Sequence, residues 1–226
     1  MLTTAIQTQQ TQQIQQIQQI QHNDYYSVIA KGPMLDRVYS MRYRSYSAEG
    51  YIAENSSQKF IDEYDNKPNS TCFLLYHQNK AVGSMRTCVF DSHDRLSVPV
   101  MEVFDEEIRS NIGYDSTFVE VNKFVIDPSF QRKGGVEARM LLVGTVVEEA
   151  IRRGSSSIVI AVRPAHVRFY KMLGCNQISE AKSYPHLTFK TVLMACTDIQ
   201  WSRNFIRSKV DVVEKCDDPV LNYGSY

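Results

Sequence analysis

The chain has 226 residues, is 43 % hydrophobic, and carries 25 basic and 25 acidic side chains for a formal net charge of zero. That length suits one large domain or two small ones, and balanced charge gives no global basic field to attract nucleic acid or an anionic membrane. The apolar runs are far too short to span a bilayer, and no charged n-region followed by an apolar h-region opens the chain, so a cytoplasmic protein with no integral membrane segment is expected.

The first 24 residues, "MLTTAIQTQQTQQIQQIQQIQHND", are rich in Gln, with Ile14, Ile17 and Ile20 three apart. A strict period of three drifts off a helix, and polar tracts bury too little to order themselves, so a disordered or weakly helical extension is expected. Gly32-Pro33 then opens a helix through "MLDRVYSMRYRSYSAEG", with Pro at the first helical position. "TCFLLYH" and "AVGSMRTCVF" read as two strands of a hairpin joined by Gln78-Asn79-Lys80, and "MEVFDEEIRSNI" as a short helix. "TFVEVNKFVID" alternates as a strand, and a helix from about Val136 to Arg153 stops at Gly154. "SSIVIAVR" reads as a buried central strand. Pro164 opens a helix that stops at Gly174, and two further strands, "CNQISEAKSY" and "HLTFKTVLMAC", follow. A polar tail or helix over residues 201–226 closes the chain. This order predicts an α/β protein of α+β type, with a mixed sheet and helices on its faces, in one domain over residues 25–200.

The five cysteines form no CxxC pair and the five histidines no HxxxH pair, so reduced thiols are expected and no metal site. No GxSxG and no Cys-His pairing marks a nucleophile. The segment that carries chemistry is "FVIDPSFQRKGGVEARMLL". Asp127-Pro128 must end the strand, because Pro has no N–H to donate and restricts the residue before it. Residues 131–136 then bring backbone N–H groups to the positive end of a helix, where an anion binds well. Taken alone, the segment is equally a solvated glycine turn.

Together with "FYKMLGC" further on, "QRKGGV" resembles the acyl-coenzyme-A-binding core of the GNAT acyltransferases. Gln131 and Gly134 fit that pattern, and Val136 stands where the family prefers Gly or Ala. "MRYRSYSAEGYI", "FIDEYDNKPNS", "AVGSMRT" and "VEVNKFVID" follow the order found in acyl-homoserine-lactone synthases. Tyr51 stands in place of their Trp and Lys123 in place of their Arg. Over residues 33–198 the chain is most similar to long-chain N-acyl amino acid synthases of the N-acyl tyrosine synthase type.

The resemblance implies a GNAT fold in which the strand before the Gly-Gly segment splays from the next strand and pantetheine lies in the gap. It implies no permanently bound cofactor: an acyl thioester of coenzyme A or of acyl carrier protein serves as co-substrate. Phosphopantetheine would rest on Gln131, Arg132, Lys133, Gly134, Gly135 and Val136, and the amides near Phe124 and Val125 would polarise the thioester. Glu120 is the candidate base, or else a solvent-facing strand residue. Tyr170 protonates the leaving thiolate or packs in the core. Arg86 with Asp62 and Asp65, joined by Arg42 or Arg44, shapes an acceptor pocket lined by Tyr46 and Tyr51, or forms a structural ion network. Arg163 can hold an amino acid carboxylate. Arg132, Lys133, Arg152 and Arg153 would suit an acidic carrier at the cleft mouth. Two other functions fit the residues: lactone synthesis from S-adenosylmethionine, and a non-catalytic acyl-thioester-binding module.

Overall fold

The computed structural model describes residues 18–22 and 24–210, with the backbone alone for residues 18–22 and 132–134. The expectations for residues 1–17 and 211–226, Cys216 among them, lie outside the described residues. Nine strands form one mixed sheet in the order β1-β2-β3-β4-β5-β6-β9-β7, with β8 beside β9. Their spans are β1 Gln18–His22, β2 Tyr25–Ile29, β3 Ser70–His77, β4 Lys80–Phe90, β5 Phe118–Ile126, β6 Ser157–Val162, β7 Asn176–Gln177, β8 Lys182–Ser183 and β9 Lys190–Cys196. Among the described strands only β5 and β6 run parallel. The helices are α1 Pro33–Ala48, α2 Met101–Asn111, α3 Gln131–Arg152, α4 Val167–Met172 and α5 Ile199–Arg207.

Three expectations are corrected. The end of the Gln-rich segment is an edge strand, because β2 presents backbone groups that Gln18–His22 satisfy, and ladder pairing asks little of side chains. The β3–β4 turn is the two residues Gln78 and Asn79, both with positive φ (48° and 63°), which is the geometry that closes a tight hairpin; Lys80 is already strand. Helix α3 starts at Gln131, five residues before Val136. Asp127 accepts from the N–H and hydroxyl of Ser129, and its carbonyl accepts from the Phe130 and Gln131 amides, so the turn closes ahead of the glycines. Residues 199–207 take the helix of the two forms left open for this end of the chain, started by the Asp198 carboxylate accepting from the Trp201 N–H.

Helices cover both sheet faces, as expected. On one face α1 packs Val38, Tyr39 and Met41 against Cys72, Leu74 and Tyr76 of β3. Beside it α2 packs Phe104 and Ile108 near Cys88, Phe90 and Phe118. On the other face α3 buries Ala138, Leu141, Leu142, Val146 and Ala150, the three-and-four spacing of one helix stripe. Each such Leu or Val stabilises the fold by about 1.5–3 kcal/mol. Gly83 lets α3 come this close: a Cβ there would stand 2.9 Å from Leu142 Cδ1 and 3.2 Å from the Val125 carbonyl oxygen. Cys72, Cys88, Cys175 and Cys196 are buried free thiols. Among the described residues no helix is long and apolar enough to cross a membrane.

Candidate active site

Strands β5 and β6 pair only from Phe118↔Ser157 to Val121↔Ile160. Beyond that point Asn122–Ile126 stay with β4, while Ala161 and Val162 follow β9. The parallel pair therefore opens into a V. The opening coincides with a bulge, where the β4–β5 register shifts between Ser84 and Arg86 and Lys123 takes φ +50°. A lysine in left-handed backbone inside a strand is strained by about 1–3 kcal/mol, a cost that persists only where the surroundings enforce it.

The V holds a cleft of about 440 Å³. One wall is Asn122, Lys123, Phe124, Val125 and Ile126; the other is Ile160, Ala161, Val162 and Arg163, with Phe169 and Tyr170 of α4. Gln131 and Arg139 approach from α3, and Tyr46 and Tyr51 from the end of α1. Phe130, the residue before α3, makes no side-chain cap bond to the helix, and the Gln131 amide donates to the Asp127 carbonyl. Val136 is 71 % exposed, and a Cβ added at Gly135 would meet nothing nearer than Gln131 Cβ at 4.0 Å.

At the other end of the V the surface is aromatic. Tyr51 packs edge-on against Phe189 with centroids 4.8 Å apart, and Tyr46 sits 5.0 Å from Phe60. The Arg163 guanidinium lies 4.4 Å over the Tyr51 ring and touches His166 Nε2 at 2.9 Å. A cation stacked on aromatic faces keeps its N–H edges for a ligand carboxylate.

Behind the Lys123 wall lies a buried ion network. Asp62 and Asp65 are fixed by a reciprocal capping box around the 3-10 turn Glu63–Asn66. Arg86 donates to Asp62 Oδ2 at 2.9 Å and stands 3.0 Å from Asp65. Arg42 pairs with Asp65 at 2.7 Å and donates to Cys72 Sγ at 3.1 Å. Lys123 Nζ reaches Asp62 at 3.2 Å and lies 3.6 Å above the Phe60 ring. Burial opposes ionisation of Asp62, yet the Arg86 hydrogen bonds and the Arg86 and Lys123 charges hold its carboxyl well below the usual range. Burial brings Lys123 down to about 8 in spite of Asp62.

A second, apolar pocket, a small cavity of about 30 Å³, lies beside the V between the sheet, α3 and α5. The two spaces share Val121, Phe124, Ile160 and Tyr170, and the pocket ends at Cys175, Cys196 and Ser202.

The family model for the N-acyl amino acid synthase FeeM matches residues 37–197, which span the V, the ion network and both glycine segments. The chain belongs to this family of N-acyl amino acid synthases. It is thus an acyltransferase with a GNAT fold. Among solved structures, FeeM from uncultured soil microbes is similar at 21 % identity and a TM-score of 0.65, covering 78 % of this chain and 92 % of its own. MesI, a CoA-dependent acyl-homoserine lactone synthase, gives 17 % identity and 0.58 over 80 % and 89 %. The ribosomal-protein-S18-alanine N-acetyltransferase from Escherichia coli gives 16 % and 0.50 over 76 % and 92 %. Among curated proteins none matches the chain.

Within the synthase the expected residues fall into three groups. Tyr46, Tyr51, Phe124, Val125, Gln131, Arg163 and Tyr170 line the V. Arg42, Asp62, Asp65 and Arg86 form the network beside it, while Arg44 leaves it and pairs with Asp127 at 2.9 Å. Glu120 belongs to neither wall and is not solvent-facing. It is 1 % exposed, accepting from the Val100 amide at 2.8 Å and from Asn122 Nδ2 at 2.9 Å, and burial pushes its carboxyl up to about 7. Asn122 in turn accepts from Arg86 Nε at 2.7 Å, so Glu120 reaches the cleft through Asn122 alone. Arg152 and Arg153 are also elsewhere: both hold Glu149 at the C-terminal end of α3. Twenty residues at about 1.5 Å each put them roughly 30 Å along that helix from the cleft end. Sequence reasoning missed Phe189, Arg139 and His166 as lining residues. It noted Lys123 only as a departure from the lactone synthases. A charged residue next to Asn122 in an otherwise alternating strand was the available signal for the bulge.

Proposed function

We propose that this synthase, through an acyltransferase domain over residues 25–200, moves a long-chain fatty acyl group from a phosphopantetheine thioester to the amine of an amino acid, tyrosine above all, in the cytoplasm. The observation that carries this reading is the V itself, with an uncapped helix N-terminus at one end and an aromatic, Arg163-bearing pocket at the other. A pantetheine arm entering between β5 and β6 brings its phosphate to the first turn of α3 within residues 131–136, where the amides that precede the intrahelical ladder are free to donate and Arg132 and Lys133 add positive charge. The thioester carbonyl then lies along Asn122–Ile126, whose backbone edge toward β6 has no ladder partner, and the amides of Phe124 and Val125 polarise it.

The acyl chain runs toward the small apolar pocket behind Phe124 and Tyr170, whose side chains must part to take it, and the acceptor fits between Tyr46, Tyr51 and Phe189, its carboxylate on Arg163. Arg42, Asp62, Asp65 and Arg86 shape that pocket from behind. Burial holds the Tyr170 phenol well above its usual range, so it is protonated and able to donate to the departing thiolate. Glu120 acts through Asn122 as a positioning residue. The donor is acyl carrier protein, whose acidic surface suits the basic start of α3, with acyl coenzyme A as the alternative.

The test is incubation of the protein with long-chain acyl carrier protein or acyl coenzyme A and each amino acid, with products read by mass spectrometry. N-acyl tyrosine formed ahead of other N-acyl amino acids is expected. Absence of any N-acyl amino acid overturns the reading. A lactone formed from S-adenosylmethionine would move the protein to the homoserine-lactone branch.

A further inference from the structure

We propose that Lys123 is the catalytic base that removes the proton from the acceptor's ammonium group. The inference rests on the acyl-transfer reading above and adds the group that makes the nucleophile. Three geometric observations carry it. Lys123 lines the V at the bulge just past the last β5–β6 pair, Val121↔Ile160, with its amine held between Asp62 and the Phe60 ring at the edge of the cleft wall. Its backbone is held at φ +50° by the bulge, a conformation that an ordinary strand residue would not take, and the bulge aims this one side chain. Its side chain is 15 % exposed and is tethered at 3.2 Å to Asp62, which also receives Arg86. Glu120, the other acid on this strand, has both oxygens occupied by Val100 and Asn122 and lies away from the cleft.

The charges around the amine make a base of it. Asp62 faces it from the cap of the 3-10 segment, Arg86 from β4 and Arg42 from α1; elsewhere on the V stand Glu49, Arg139, Arg163 and His166. One carboxylate is shared between two cations, so Lys123 has less than a full counter-charge, and burial favours its neutral form, with a pKa of about 8. An arginine at the same place would stay protonated at all working pH values and could only bind.

The step balances as follows. Neutral Nζ takes one proton from the acceptor's ammonium. The freed nitrogen lone pair attacks the thioester carbonyl carbon, and the C–N bond forms. Collapse of the tetrahedral adduct breaks the C–S bond, whose electron pair leaves on sulfur. Tyr170 gives that sulfur its proton and recovers one from the amide nitrogen as the adduct collapses. Lys123 returns its proton to solvent.

The experiment compares the wild-type enzyme with Lys123→Arg, which can keep the Asp62 ion pair, and Lys123→Met. Both are assayed as full chains for kcat and KM against pH. Two acceptors are used: tyrosine, and its aminooxy counterpart, whose nitrogen is already neutral at pH 7 and needs no base. Circular dichroism melts confirm that the variants are folded. With tyrosine, kcat in both variants falls by about 10² or more, the contribution usual for a positioned base. The wild-type rise in kcat/KM with a midpoint near 8 vanishes in Lys123→Arg. With the aminooxy acceptor the loss shrinks to less than about tenfold, since no base is required there. Equal losses with both acceptors, or full activity in Lys123→Arg, overturns the role of Lys123 while leaving acyl transfer standing. A wild-type enzyme that acylates neither acceptor overturns the transfer reading and the base with it.

Discussion

Arg86 is fully buried and holds two carboxylates at once, Asp62 at 2.9 Å and Asp65 at 3.0 Å, while its Nε serves Asn122. Replacing it by Met leaves the volume nearly filled but strips those groups of their main partner. Breaking a buried ion pair from one side costs about 3–5 kcal/mol. The lower end applies here, because Asp62 keeps Lys123 and Asp65 keeps Arg42. For a chain of this size about 3 kcal/mol lowers the melting temperature by roughly 6–12 °C, at 2–4 °C per kcal/mol. The pH dependence follows from Asp62. Its folded-state pKa lies below its unfolded value near 4, so its stabilisation is present above that value and is lost as pH falls through it. In Arg86→Met much of that acid-side loss should vanish, since the stabilisation is already absent. Thermal melts by circular dichroism at pH 7, 5, 4 and 3 measure both effects. Adding Asp62→Asn to the variant should recover about 1 kcal/mol or more, as expected for contacting residues. A melting shift under 2 °C at pH 7, or an unchanged acid slope, would refute the claim that this network holds the turn against the sheet.

Tyr170→Phe keeps the ring that closes the V and removes the proton donor; kcat should fall by about tenfold, below the 10²–10⁴ usual for acid catalysis, because a thiolate leaves readily. Unchanged kcat assigns Tyr170 to packing. Val143→Phe projects into the apolar pocket from the half-buried side of α3. Product profiles from mixed acyl thioesters should shift to shorter chains, each excluded methylene forfeiting about 0.8 kcal/mol; an unshifted profile places the acyl chain elsewhere. Gly174→Ala puts a Cβ 2.7 Å from Trp201 Cε3 at φ +86° and should destabilise the fold by about 1–3 kcal/mol, read from urea unfolding. Stability within 0.5 kcal/mol of wild type would mean that the α4–α5 corner yields freely.

The central elements were legible because their signals are local. Proline and glycine mark the bounds of α1 and α4, alternation marks β5, and the apolar run marks β6. The β1–β2 edge was not legible: a Gln-rich strand has no pattern of its own and exists because a neighbour offers unpaired backbone. The start of α3 was misplaced because glycine signals freedom, while the Asp127–Ser129 bonds that close the turn are side-chain chemistry. In the site, residue types on β5 and on the 3-10 turn were visible as candidates. Their distances from the reacting atoms were not. Glu120 and Asn122 share a strand face as alternation requires, yet α2 covers the first, through the Val100 amide before it, and leaves the second open to the cleft. Only packing between elements distant in sequence decides that difference.

Helix α5 lines the far end of the small apolar pocket through Ser202. Ser202 donates to the Leu173 carbonyl at 2.7 Å, and Glu148 of α3 grips Arg203 and Arg207 from outside. The helix is thus a stopper seated in the body of the enzyme rather than part of its wall. If the acyl chain takes the proposed course, loosening this helix by charge reversal at Glu148 would remove the stop at its end, and the limit on acyl length would pass from the protein to the lipid supply.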